Sequence, residues 1–240
     1  MNNKSWLDDT YWQVDMGSVM RSHDEFITKQ IIKSVIDFHE VQIDVDAGVY
    51  HPTKGSSTYF IGQELMKVVK DGDHILDMGC GSGALALLGI KCGASSAIAV
   101  DASKSACNCA INNINALNLS HRTRVINSDL FENIQEQEFD LIVFNAPLLH
   151  AEPIASVTNP DLNKMAIDFN GELLIRFVEE AKDYVRIGGR IVVLVSNIGH
   201  RVAVEKITEM MSEMGKVEAL SKVSLEGGQW RFLLSVVREV

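Results

Sequence analysis

From about residue 70 onward, short apolar runs alternate with longer stretches whose apolar residues recur at helical spacing. The runs at 74–77, 97–100, 124–126 and 139–144 read as strands, the last continuously apolar after Asp140, as a strand covered on both faces should be. Between them, 84–90 and 103–117 read as helices, with Ser103 placed to cap the second. Repeated βα units of this kind predict a parallel sheet with helices on both faces. A loop punctuated by Pro147, Pro153 and Pro160 comes next, followed by a helix over 171–185 that Gly188-Gly189 ends and a strand over 190–195. A helix over 202–214 precedes strands at 217–225 and 230–237, joined through Gly227-Gly228 in a way that suits antiparallel pairing.

Residues 1–45 carry a different pattern. Trp6, Tyr11 and Trp12 come early, and Phe26, Ile27, Ile31, Ile32, Val35, Ile36 and Phe38 then follow at largely helical spacing. These predict an amphipathic helix over 24–38 that packs on the core or caps a pocket as a lid. The division expected is an N-terminal helical extension or lid over 1–45 and one α/β domain over 46–240.

Composition narrows the class. Of the 240 residues, 46% are hydrophobic and 22% charged, enough apolar surface for one sizeable core. A formal charge of −10 sets up a field that repels phosphate backbones and disfavours autonomous nucleic-acid binding. Cys80, Cys92, Cys107 and Cys109 lack zinc-site spacing, and the last two would diverge on a helix, so no metal is expected and the thiols read as free. No signal peptide or membrane span is visible, and the expected location is cytoplasmic.

The chemistry gathers where strands end. In Leu76-Asp77-Met78-Gly79-Cys80-Gly81-Ser82-Gly83, three glycines follow a strand and open a helix, leaving amide hydrogens free to meet a nucleotide-like ligand. Gly79, Gly81 and Ala84 also satisfy dinucleotide-binding spacing, so the loop alone leaves the ligand open. Asp77 could accept hydrogen bonds from a cationic amino-acid moiety, directly or through water. Asp101 ends the next strand at the distance where an acid reaches ribose hydroxyls. Asp129 follows the third strand, in position to bond an adenine amino group while Leu130 packs on the ring. S-adenosylmethionine (SAM) carries all of these groups; NAD lacks the cationic one.

With these residues the chain resembles the class I SAM-dependent methyltransferases over about residues 50–240. That resemblance implies a doubly wound, mainly parallel seven-stranded sheet with an antiparallel last strand. Phe144-Asn145-Ala146-Pro147-Leu148 leaves the fourth of these strands where the nitrogen-methylating branch carries Asn/Asp-Pro-Pro-Tyr/Phe. This branch includes release-factor glutamine methyltransferases and rRNA methyltransferases. By that resemblance Asn145 and Pro147 hold a planar NH2 group, Asn145 also lies against the cofactor, and Leu148 replaces the stacking aromatic residue. The segments Val49-Tyr50-His51-Pro52 and Ser57-Thr58-Tyr59-Phe60 resemble those preceding the SAM loop in protein glutamine methyltransferases. They place Thr58 near the cofactor carboxylate, with Tyr59 and Phe60 lining the substrate pocket.

SN2 methyl transfer asks mainly for in-line positioning and acceptance of a proton. A hydroxyl acceptor would need a base, for which His150, Glu152, His51 and His200 are nearest in sequence. The leading expectation is methyl transfer from SAM to a nitrogen of a small molecule, with His150 as a further catalytic candidate. The alternatives are a protein glutamine or rRNA N-methyltransferase, an O-methyltransferase with a His base, a nicotinamide dehydrogenase, and a non-enzymatic interaction subunit.

Overall fold

A computed structural model describes residues 4–135, 137–152 and 163–240. Seven strands form one sheet: β3 (His74–Met78), β4 (Ser96–Asp101), β5 (Thr123–Asn127), β6 (Phe139–Phe144), β7 (Val185–Ser196), β8 (Val217–Ser224) and β9 (Trp230–Val237). Their spatial order is β5-β4-β3-β6-β7-β9-β8. β3 to β7 pair in parallel, and β9 runs antiparallel to both β7 and β8. The sheet has the class and direction expected.

Alternation along the strands builds two cores, because successive side chains point to opposite faces. On one face Ile75, Ala99, Leu141, Val143, Val192 and Leu194 pack beneath α2 (Ser57–Val68), α3 (Ala84–Lys91) and α4 (Lys104–Ala116). On the other, Leu76, Met78, Val100, Ile142, Phe144 and Val193 meet α5 (Glu172–Tyr184) and α6 (Arg201–Met214). Both faces are thus covered and the inner strands need no polar side.

The N-terminal segment departs from its pattern. The helix α1 spans Met16–Lys29, starting eight residues earlier than expected, and Asp15 caps it by accepting the Gly17 N–H. Ser34–Phe38 is instead strand β1, paired antiparallel with β2 (Val41–Val45). The residues that completed a helical stripe on paper explain the difference. Ile31, Ile32 and Val35 are 57–63% exposed, whereas Ile36 and Phe38 alternate inward. Two-residue alternation and the helical period coincide over so short a run, and pairing with β2 decides between them. Two short 3₁₀ turns precede α1 and lie against the C-terminal half. There the Trp6 ring is buried beside Phe232 and its Nε1 donates to Thr208 Oγ1 at 3.1 Å.

Gly188-Gly189 also takes another role. The helix α5 ends at Tyr184, and the glycines sit inside β7 where its register against β6 shifts between Phe139 and Leu141. Gly188 has φ +78°, and a Cβ on Gly189 would lie 2.9 Å from the carbonyl oxygens of Arg186 and Phe139, so the strand folds out there only with glycine. Pro147 is described, while Pro153 and Pro160 fall outside the described residues. Among the described residues no helix is long and apolar enough to cross a membrane.

Candidate active site

The chain runs outward from β3 through β4 to β5, then returns to place β6 on the other side of β3. The strand order therefore reverses between β3 and β6, and ligands bind outside the carboxyl ends of strands at such a point. A cavity of about 360 Å³ opens there. Its walls include Gly79 and Gly81 after β3, Asp101 at the end of β4, Asp129 and Leu130 after β5, and Asn145 and Pro147 after β6, with Thr58 from α2. These eight expected residues, distant in sequence, meet because each follows a strand of one sheet or begins a helix against it.

The glycine loop depends on its residue type. Gly79, Gly81 and Gly83 have φ of +65°, +53° and +81°, a region open mainly to glycine. A Cβ on Gly79 would come 3.0 Å from the Phe144 ring. Gly83 caps α3 and packs on Ala110, outside the cavity walls. Asp101 ties the loop to β4, its Oδ2 accepting the Gly81 N–H and its Oδ1 the Ser103 N–H, each at 2.9 Å.

Asp77 sits behind the loop. It is 1% exposed, its Oδ2 accepts the Ala86 N–H in the first turn of α3 at 3.0 Å, and its Oδ1 has no hydrogen-bond partner. Burial pushes its carboxyl up to about 7, against the lowering effect of the Ala86 bond. It is not among the cavity walls, so any effect on a cofactor's ammonium passes through the loop or through water. Asp129 is half-exposed and pairs with Arg176 of α5 at 3.4 Å.

Asn145 lies between two cavities. Its Nδ2 donates to Thr58 Oγ1 at 2.9 Å, while its Oδ1 is buried without a partner. A second, smaller cavity of about 140 Å³ adjoins it, and Tyr50, Asn145 and Met165 belong to both walls. Leu148 lines this second cavity, together with Phe26 from α1.

Several expected residues fall elsewhere. Because Ser57–Val68 is helical, Thr58 and Tyr59 point about 100° apart. The Tyr59 ring stacks on His39 at 4.0 Å, and Phe60 packs on the core, so neither lines either cavity. His150 is also outside both; its Nδ1 meets the Phe169 carbonyl and its ring lies 4.8 Å from that of His200. His51 is buried, with burial lowering its basicity, and Glu152 is exposed; neither joins a cavity wall. Among the described residues His200 joins neither cavity wall either.

Other wall residues went unread. Tyr50 and Phe26, with ring centroids 5.0 Å apart, bring to the second cavity the aromatic surface that Leu148 does not supply. Tyr50 stood within a recognised segment, but its Oη bond to Ser57 Oγ at 2.8 Å, which orients the ring, is a tertiary contact. Cys107 and Cys109 diverge on α4 to reach the Asp101 and Asp44 carbonyls, and all four cysteines are free thiols.

The cavity chemistry suits SAM. A glycine loop with amide hydrogens, the Asp101 carboxylate ending β4 and an apolar Leu130 wall match its parts, with the buried Asp77 carboxylate behind the loop. A family model described as ribosomal protein L11 methyltransferase matches residues 2–168. The ribosomal protein L11 methyltransferase of Thermosipho melanesiensis is 38% identical over 114 residues, covering 45% of this chain and 43% of that protein. The ribosomal protein uL3 glutamine methyltransferase of Francisella tularensis is 32% identical over 172 residues, covering 67% of this chain and 54% of that one. The chain spans about half the length of these curated relatives. A solved 16S rRNA N2 G1207 methyltransferase of T. thermophilus, in complex with AdoMet and guanosine, shares the fold with a TM-score of 0.65 at 18% identity, covering 87% of this chain and 50% of that one. These proteins are named for macromolecular acceptors, which corrects the expectation of a small-molecule partner. Family model, fold and cavity agree: the chain belongs to the ribosomal protein L11 methyltransferase family, and with it to the SAM-dependent methyltransferases.

Proposed function

We propose that this chain methylates a nitrogen on a protein, and that the acceptor is the side-chain amide of a glutamine. The observation that carries the reading is the Asn145 carboxamide, clamped through Nδ2 by Thr58 and left with an unpartnered Oδ1 between the two cavities. An acceptor-only oxygen in that place selects a group that donates, which an amide NH2 does and a carboxylate or carbonyl does not. The glutamine acceptor named for the uL3 relative agrees with this choice. The formal charge of −10 weighs against a free RNA acceptor.

In this reading Asp101 holds the ribose hydroxyls, Asp129 and Leu130 hold the adenine, and the Thr58 hydroxyl donates to the cofactor carboxylate while accepting from Asn145. Bound SAM supplies an activated sulfonium methyl group, so the nitrogen–carbon bond forms as the carbon–sulfur bond breaks. The chain's part is alignment. Asn145 Oδ1 accepts one amide hydrogen and points the nitrogen toward the first cavity; Pro147 shapes the turn; Tyr50 and Phe26 flank the amide plane. The surplus amide proton leaves to solvent after transfer.

The test is methyl incorporation into purified ribosomal proteins L11 and uL3, read by mass spectrometry. Asn145→Ala is expected to lower turnover by about 10²-fold or more, with a smaller loss of SAM affinity passed through Thr58. Unchanged turnover removes Asn145 from this role, and SAM binding without methylation of either protein removes the protein acceptor.

A further inference from the structure

The second cavity contains a cation with no ion-pair partner among the described residues. Arg231, on β9, contributes to its wall beside Tyr50, Asn145 and Gln229. Its Nη1 donates to the Gly55 carbonyl at 3.2 Å, and its Nε is sealed from solvent with no partner. Among the described residues it forms no ion pair, although Arg186, Arg190 and Arg201 each have a carboxylate partner. Burial depresses its basicity, and the one ionisable group acting against this is the Tyr50 phenol. A guanidinium held in a half-closed cavity without an ion pair costs desolvation that one carbonyl bond offsets only in part. Its fork of N–H donors matches the two oxygens of a carboxylate.

Resting on the amide-methylation reading above, we propose that Arg231 is a specificity residue that binds a carboxylate carried by the acceptor peptide next to the methylated glutamine. Asn145 takes the amide at one side of the cavity and Arg231 takes the acid at another. A net-acidic protein would repel such a peptide in general, so the contact selects by position. It requires the acid to reach one half-buried cation.

The experiment measures binding of three acetylated peptides to the full chain by calorimetry, with S-adenosylhomocysteine present. In the first, glutamine precedes glutamate; in the second, glutamine is the C-terminal residue with a free carboxylate; in the third, glutamine precedes another glutamine and the C-terminus is amidated. At least one acid-bearing peptide is expected to bind about tenfold or more tightly than the neutral one, and which of the two does so identifies the source of the carboxylate. Arg231→Gln is expected to abolish that preference while leaving S-adenosylhomocysteine affinity unchanged, and Arg231→Lys to restore part of it. Thermal melts confirm that both variants fold. Equal affinity for all three peptides, or no binding by any, with the cofactor product bound normally, overturns the role of Arg231. Failure to bind the cofactor product would instead sink the methyltransferase reading itself.

Discussion

Replacing Asp77 with Asn isolates the energetic cost of a buried carboxylate. The Asp77 carboxyl is raised to about 7 from an ordinary 3.8, first by burial. Between those values the unfolded chain has lost the proton and the folded chain still holds it, so folded stability falls as pH rises and levels off above about 7. At about 1.4 kcal/mol for each pH unit of that interval, the group withholds about 4 kcal/mol by pH 8. The lowering effect of its bond to the first turn of α3 is already contained in that raised value, so about 4 kcal/mol is the whole effect. The asparagine carbonyl can still accept the Ala86 N–H and carries no charge. Urea denaturation of wild type and Asp77→Asn from pH 4 to pH 8 tests this, because subtracting the two curves cancels every other titrating group. The variant is expected to gain relative stability steadily from about pH 4 to pH 7, while its affinity for SAM falls. A difference that stays constant with pH would refute the burial argument.

Two further outcomes follow from the same geometry. Gly79→Ala forces a Cβ into positive φ and to 3.0 Å from Phe144, so a stability loss of about 1–3 kcal/mol and weakened SAM binding are expected by calorimetry; wild-type affinity would count against the close approach. Trp6→Ala removes a buried ring and its bond to Thr208, at an expected cost of about 3–5 kcal/mol in urea denaturation, and a loss under about 1 kcal/mol would show that the N-terminal turns are not part of the folded unit.

The glycine loop, the acids at the ends of β3 and β4 and after β5, and the Asn145 turn are legible because each depends on local backbone chemistry: strand period, positive φ at glycine, and an acid at a strand end. Thr58 and Asn145 were read separately, 87 positions apart, and only folding made them a hydrogen-bonded pair. The stretch 31–38 satisfies two periods at once in its apolar residues, and the pairing of β1 with β2 chooses between them. Tyr59 and Phe60 were assigned to the pocket as neighbours of Thr58, yet a helix sends adjacent side chains in different directions. Arg231 gave no signal at all, since an arginine in a strand looks the same whether its head meets water, an acid or an empty cavity. By itself, the sequence determined the sheet, the loop and the cofactor class, which depend on short-range geometry repeated along the chain. The tertiary structure alone decided that Asn145 divides two cavities and that a cation without an ion pair among the described residues lines one of them, because burial and pairing are properties of the packed molecule.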